Sequence, residues 1–122
     1  MKRLLFHCQH ALGLGHLARS LALADGLRER FDVTLLNGGR FPTGTAVPDG
    51  VRVVNLDPLG HDAEYQLVSH DPALTVEDAM ARRRATVLAE LDRVDPHVVV
   101  VELFPFGRKK FRFELEPLLE AV

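Results

Sequence analysis

Apolar and polar residues follow one another along the chain in blocks that predict strands and helices in alternation. Short apolar runs predict four strands, at residues 4–8, 33–36, 51–56 and 97–101. Apolar positions at steps of three and four predict one helix over residues 15–30 and another over residues 75–93. Between them, residues 57–74 are predicted to form a long polar loop, with or without a short helix. The final segment, residues 108–122, is predicted to be a helix interrupted near Pro117.

Strands that alternate with helices predict an α/β fold, a doubly wound, Rossmann-like parallel sheet with right-handed crossovers. The run at residues 97–101 is continuously apolar, as expected of a strand that helices cover on both faces. Four strands make a small sheet, and the last apolar helix runs to the final residue without a cap. We therefore expect residues 1–122 to form one domain, the N-terminal part of a longer protein.

Composition is that of an ordinary folded domain, with 47% hydrophobic and 26% charged residues in 122. A net charge of −2 argues against a broad basic face, so we expect no nucleic-acid partner. The lone cysteine, Cys8, and the lack of a long apolar span or signal peptide predict a cytoplasmic protein. Contact with a membrane surface through Leu12, Leu14 and Leu17, near the loop, is an open alternative to their burial in the core. Two basic clusters are predicted to be solvated helix faces, with contact to an anionic acceptor or a membrane surface as the alternative: Arg82, Arg83 and Arg84, and Arg108, Lys109, Lys110 and Arg112.

The stretch HCQHALGLGHLARS, residues 7–20, raises the question of a metal site. Zinc needs about four converging ligands, and the candidates are His7, Cys8, His10 and His16. Neighbouring strand residues such as His7 and Cys8 point to opposite faces of a sheet, and no further ligand pair completes the set. The sequence therefore predicts no metal and no cofactor.

The same stretch contains the spacing Gly13-x-Gly15-x-x-Ala18 after a strand and before a helix, a pattern found in dinucleotide-binding folds. A nicotinamide site also requires an acidic residue at the end of the second strand, to bind the ribose. Here that place is taken by Asn37, followed by two glycines. The lack of an acidic residue at this position argues against binding of a nicotinamide dinucleotide.

Glycines before a helix also favour an oxygen-rich or anionic ligand. Gly13 and Gly15 let the backbone turn tightly, and the helix that follows presents its positive end. His16 is predicted at that end, above the carboxyl ends of the strands, where open parallel sheets bind ligands. The positive helix end favours a neutral imidazole, which can act as a general base. The alternative is a histidine that only hydrogen-bonds to neighbouring backbone.

Three further residues are predicted to lie near His16. Arg19 and Ser20 share its helix face, and Arg19 could meet a phosphate or orient a carboxylate. Glu102 ends the last strand and is expected to project into the same crevice. The alternatives are a solvated Arg19 and a Glu102 that caps the next turn.

Two segments, GLGHLARSLALADGL (residues 13–27) and ELFPFGRKKFRFEL (residues 102–115), resemble a known family. They are similar to the N-terminal domain of glycosyltransferases with the two-Rossmann-domain B fold, the group of the lipid-linked peptidoglycan N-acetylglucosaminyltransferase. Predicted bacterial members with a GxGHxxRS loop look closest, and the resemblance runs over essentially the whole chain. It implies an acceptor-side domain, with a nucleotide-sugar donor bound mainly by a C-terminal domain to which nothing here corresponds.

The resemblance implies an inverting, hexosyltransferase-type enzyme, in which His16 is the general base for an acceptor hydroxyl. The expected catalytic residues are His16 and Glu102, and the candidate acceptor- or substrate-binding residues are Gly13, Gly15, Arg19, Asn37 and Arg108. The expected partners are the nucleotide sugar and a sugar or lipid-linked acceptor, and the isolated chain is expected to be inactive. The same loop also resembles a nucleotide-sugar hydrolase of pseudaminic acid synthesis. A non-catalytic sugar- or nucleotide-binding subunit is the third alternative.

Overall fold

The structure, a computed structural model, describes residues 1–9, 15–64, 66–102 and 109–122, without the side chains of residues 15, 16 and 109. The bounds of the strands and helices are β1 (Lys2–Cys8), α1 (Gly15–Leu27), β2 (Phe31–Asn37), β3 (Arg52–Asn55), β4 (Leu59–His61), β5 (Leu67–Ser69), α2 (Val76–Val94), β6 (Val98–Val101), a 3-10 turn (Lys109–Phe111) and α3 (Arg112–Ala121). Helices follow the first strand, precede the last one and end the chain, whereas β2 to β5 follow one another with no helix among the described residues between them.

Four parallel strands form the main sheet, in the order β3-β2-β1-β6. The predicted α/β, Rossmann-like architecture is therefore confirmed, with β1 in the centre and the chain crossing from one side of it to the other. In the strand register Cys8 is opposite Asn37, and Asn37 is opposite Asn55. The carboxyl ends of β1, β2 and β3 consequently meet at one edge of the sheet.

Helices cover both faces of the sheet, as the apolar strands predict. Successive strand residues point to opposite faces, so β1 and β2 each supply two sets of buried side chains. On one face Leu4, Phe6, Cys8, Val33 and Leu35 pack with α1 residues Leu17, Leu21 and Ala24. On the other face Leu5 and Leu36 pack with residues of α2 and α3, among them Ala79, Val87, Leu91, Leu115 and Leu118.

Both ends of α2 are capped, and the helix fits the prediction closely. The Thr75 side chain accepts a hydrogen bond from the Asp78 backbone N–H at 3.1 Å. At the other end Asp95 adopts a left-handed conformation (φ 46°), and its N–H donates to the Leu91 carbonyl at 2.9 Å. Pro96 follows and prevents the helix from continuing.

Two regions differ from the prediction. The predicted interruption at Pro117 is wrong, because α3 runs through it. Leu115 and Leu118 are fully buried on either side of the proline, so tertiary packing maintains the helix despite the lost hydrogen bond. The predicted loop contains an antiparallel hairpin, β4 and β5, whose turn is closed by Asp62 Oδ1, which accepts from the N–H groups of Glu64 and Gln66.

Arg83 lies in the core, so its predicted place on a solvated face is wrong. It is 0% exposed, whereas Arg82, Arg84, Lys110 and Arg112 are exposed. The physical reason is its phase on α2, because it shares the buried face that holds Ala79 and Val87. Within the part of the chain that the structure describes, no helix is both long and apolar enough to span a membrane.

Candidate functional site

The helix after the glycine-containing stretch begins at Gly15, as the sequence predicts. His16 therefore lies in the first turn of α1, directly after the segment that follows β1. Gly13, His10 and Arg108 lie outside the described residues, as does the His16 side chain. The roles assigned to these residues stay predictions.

Glu102 lies against α1, although 82 residues separate it from Ser20, which donates a hydrogen bond to it. The Ser20 hydroxyl donates to Glu102 Oε2 at 3.0 Å, and a terminal nitrogen of Arg19 lies 3.8 Å from Oε1. The Glu102 backbone N–H also donates to the His7 carbonyl at 3.4 Å, which extends the pairing of β1 with β6. The sequence-predicted neighbours Arg19 and Glu102 are thus brought together.

The contact places a carboxylate one helical turn from His16. Positions i and i+4 on a helix have Cβ atoms about 5–6 Å apart, and Ser20 is four residues after His16. The Glu102 side chain keeps 12% of its surface exposed and that of Arg19 keeps 58%, so the pair is partly exposed, mainly through Arg19. A carboxylate here could orient an imidazole and stabilise its protonated form.

Asn37, a candidate substrate-binding residue, is fully buried at the end of β2. Its side-chain N–H₂ donates to the Gly39 carbonyl at 3.0 Å and to Asn55 Oδ1 at 3.1 Å. Its Oδ1 has no hydrogen-bond partner among the described residues. The contacts show Asn37 tying the ends of β2 and β3 together, whereas its predicted binding role is untested.

A buried polar network beneath this edge was missed by the sequence analysis. Glu114 Oε2 accepts from His7 Nε2 at 2.9 Å, and Glu114 Oε1 lies 2.8 Å from Arg83 Nε in an ion pair. A terminal nitrogen of Arg83 donates to Gln9 Oε1 at 2.6 Å, and its guanidinium carbon lies 5.1 Å from the centre of the Phe111 ring. We call His7, Gln9, Arg83 and Glu114 the buried network; each is at most 1% exposed.

Burial and pairing act in opposite directions on the two charges of the buried network. Burial alone would raise the pKa of Glu114, but the hydrogen bond from His7 and the positive charge of Arg83 outweigh it, so this pKa lies below its ordinary value. Burial lowers the pKa of Arg83, and the Glu114 carboxylate opposes that shift. Within the buried network, Arg83 and Glu114 consequently form an ion pair whose opposite charges neutralise each other.

The buried network also holds the loops that follow β2 and β3. The second terminal nitrogen of Arg83 donates to the Gly38 carbonyl at 2.9 Å and to the Asp57 carbonyl at 3.4 Å. The Gln9 side-chain N–H₂ donates to the Leu59 carbonyl at 3.1 Å. A sequence signal for Arg83 existed, since Ala79, Arg83, Val87 and Leu91 recur every four residues.

Two clefts open along this side of the molecule. One, of about 340 Å³, lies against α1 and is lined by Leu17, Ala18, Leu21, Thr45 and Ala46. The other, of about 610 Å³, lies between the loops after β2 and β3, where Arg40 contacts His70 at 3.3 Å. Both volumes suit small ligands.

The metal-ligand candidates in β1 diverge, as the strand alternation predicts. His7 is engaged with Glu114 on the α3 side of the sheet, whereas Cys8 packs among apolar residues on the α1 side. Over the described ranges, no three His, Cys, Asp or Glu side chains are placed to hold a metal ion.

No protein-family model and no curated protein matches the chain. Among solved structures it is similar to apo UGT2 of Phytolacca americana, a plant UDP-glycosyltransferase, with a TM-score of 0.56 and 22% sequence identity. The match covers 93% of this chain but 28% of the plant chain, so the chain spans less than a third of that protein's length. The fold is therefore a Rossmann-like α/β domain of the type found in a glycosyltransferase.

Proposed function

We propose that the chain is the acceptor-side domain of an inverting, metal-independent glycosyltransferase that uses a nucleotide sugar. The fold it shares with a plant UDP-glycosyltransferase supports this, together with the resemblance of residues 13–27 and 102–115 to bacterial glycosyltransferases. The observation that carries the proposal is the contact of the Glu102 carboxylate with Arg19 and Ser20, one turn after His16.

In the proposed reaction, His16 takes the proton from an acceptor hydroxyl while that oxygen bonds to the anomeric carbon of the donor sugar. The bond from the anomeric carbon to the nucleotide breaks, and the nucleotide leaves with the electron pair. A single displacement of this kind inverts the anomeric carbon. Glu102 would orient the His16 imidazole and stabilise its positive charge after proton transfer.

A second domain would bind most of the donor in this proposal. The match to 28% of the plant chain supports that division, because it leaves the rest of that protein without a counterpart here. The acceptor would be a sugar or a lipid-linked sugar, with Gly13, Gly15, Arg19, Asn37 and Arg108 as candidate contacts. A cytoplasmic location and a relation to the peptidoglycan group belong to the same proposal.

The test is to assay the full-length protein against a panel of nucleotide sugars, with and without candidate acceptors. If His16 is the base, His16→Ala should lower turnover by about 10² or more. The control is His97→Ala, which removes an exposed histidine before β6, at the opposite end of the sheet. Near-wild-type turnover of His16→Ala would contradict the assigned role. Sugar release without any acceptor would instead identify a nucleotide-sugar hydrolase.

A further inference from the structure

The 610 Å³ cleft lies at the carboxyl ends of β2 and β3, away from the contact of Glu102 with α1. Residues 39–43 form one wall, and the other is formed by Asn55, Leu56 and Pro58, with His70 beside them. We call it the Arg40 cleft. Ligands bind at this edge of open parallel sheets, so its position fits a binding site.

Arg40 gives the cleft a positive charge that no acidic residue among the described lining compensates. No Asp or Glu is found among the described residues that line it, and Arg40 makes no ion pair with any described residue. Its contact is with His70 Nδ1, which must accept because a guanidinium can only donate. The remaining N–H donors of Arg40 suit the paired oxygens of a carboxylate or phosphate.

The rest of the lining is largely apolar. Phe41 and Pro42 contribute to one wall, and Leu56 and Pro58 to the other. Small-molecule sites commonly combine an apolar lining with a few polar groups that fix the ligand's orientation. The lining consequently fits a ligand with an anionic group on an apolar body.

Both walls are held in place from inside the protein. Arg83 donates to the carbonyl of Gly38, which directly precedes one wall, and to that of Asp57, which lies between Leu56 and Pro58 of the other. A Cβ at Gly38 would overlap the ends of Gln9 and Arg83, and one at Gly60 would overlap the His70 imidazole. This close packing preorganises the cleft, which reduces the entropy lost on binding.

We propose that the Arg40 cleft binds a small organic anion, either a carboxylate or a phosphate ester. Arg40 binds the anionic group, and the apolar walls contact the body of the ligand. In the transferase, this anion is part of the acceptor, an assignment that rests on the proposed function. Arg83 acts as a positioning residue for both walls.

Calorimetric titration of this chain with phenyl phosphate, benzoate, inorganic phosphate and neutral benzyl alcohol tests the proposal. Phenyl phosphate or benzoate should bind saturably, and Arg40→Gln should weaken that binding about tenfold or more, the worth of a charge-assisted pair. The matched control, Arg30→Gln, removes the same charge from an exposed residue before β2, at the opposite edge of the sheet, and should leave binding unchanged.

Equal losses in the Arg40 and Arg30 variants, or equal binding of benzyl alcohol, would overturn the proposal. If inorganic phosphate binds as tightly as phenyl phosphate, the proposed contact of the apolar walls with the body of the ligand is overturned. The Arg40 side chain is exposed, and circular dichroism of Arg40→Gln checks that the variant is folded.

The failure of this inference can be separated from the failure of the proposed function. His16→Ala should leave phenyl phosphate binding intact, because the cleft lining does not include His16. If His16→Ala loses turnover while Arg40→Gln still binds phenyl phosphate like wild type, the cleft assignment is contradicted and the proposed transferase is not. If phenyl phosphate binding depends on Arg40 but no donor supports sugar transfer, the proposed transferase is contradicted and the cleft assignment is not.

Discussion

Two arginine–carboxylate pairs lie at the same end of the sheet and differ in almost every physical respect. Arg83 and Glu114 are fully buried, with their charged atoms 2.8 Å apart. Arg19 and Glu102 are 3.8 Å apart, and their side chains keep 58% and 12% of their surfaces exposed. Each pair joins a helix to a distant part of the chain.

The difference separates a structural pair from one available for chemistry. Glu114 is fully buried between His7 and Arg83, so a substrate has no access to its carboxylate. Glu102 contacts Ser20 and Arg19 at the edge of the sheet, and part of each charged side chain is exposed there. The buried pair fixes the loops, and the open pair lies where the reaction is proposed.

Arg83→Ala should produce the largest effect, because it leaves the Glu114 carboxylate buried without its counter-ion. Removing one partner of a buried pair costs about 3–5 kcal/mol, and urea denaturation measures the loss. Arg84→Ala, next to it on the exposed face, is the control and should change stability by less than about 0.5 kcal/mol. Similar effects of the two substitutions would mean that the buried network contributes little.

Glu114→Gln should destabilise less, by about 1–3 kcal/mol near pH 7, because the amide retains the shape and some hydrogen bonding. The folded-state pKa of Glu114 is lowered, so its contribution is complete above the ordinary glutamate pKa of about 4.3. It is lost as the pH falls from there through the folded-state pKa. Denaturation across this range should show wild type and variant converging towards acid pH.

A matched substitution on the same helix, Glu120→Gln, changes an exposed carboxylate and serves as the control. Its free energy of unfolding should stay close to that of wild type. A stability gap for Glu114→Gln that does not narrow on acidification would argue against an ionised Glu114.

Ser20→Ala should have the smallest effect on stability. It removes one hydrogen bond to a partly exposed carboxylate, for which about 0.5–1.5 kcal/mol is expected. Urea denaturation again measures the change. A loss as large as that of Arg83→Ala would show that Glu102 is locked into the fold as firmly as Glu114.

Local pattern was enough to predict the main sheet and two of the helices. The strands of the sheet are short apolar runs, and Thr75 and Pro96 bound α2 as their chemistry requires. The hairpin of β4 and β5 was missed because three-residue strands are too short to show a periodicity. Pro117 was misjudged because packing outweighed local propensity.

The candidate site could be predicted only in part. Glu102 and Arg19 were identified because a strand end and a helix start converge in this type of sheet. Arg83 could have been recognised by its phase on α2, but its partner Glu114 lies on another helix, and Glu114 in turn pairs with His7 across 107 residues. No local pattern encodes such a pairing, and the Arg40 cleft depends on the same long-range contacts.

Glu102→Gln and Glu114→Gln, compared in the proposed two-domain transferase by turnover and urea stability together, test the role of Glu102 most directly. We expect Glu102→Gln to lower turnover by about 10² while its unfolding midpoint stays close to that of wild type. Glu114→Gln should instead lower stability, and the folded fraction should retain turnover. Wild-type turnover in Glu102→Gln, or a loss of activity explained entirely by unfolding, would contradict a catalytic role for the open pair.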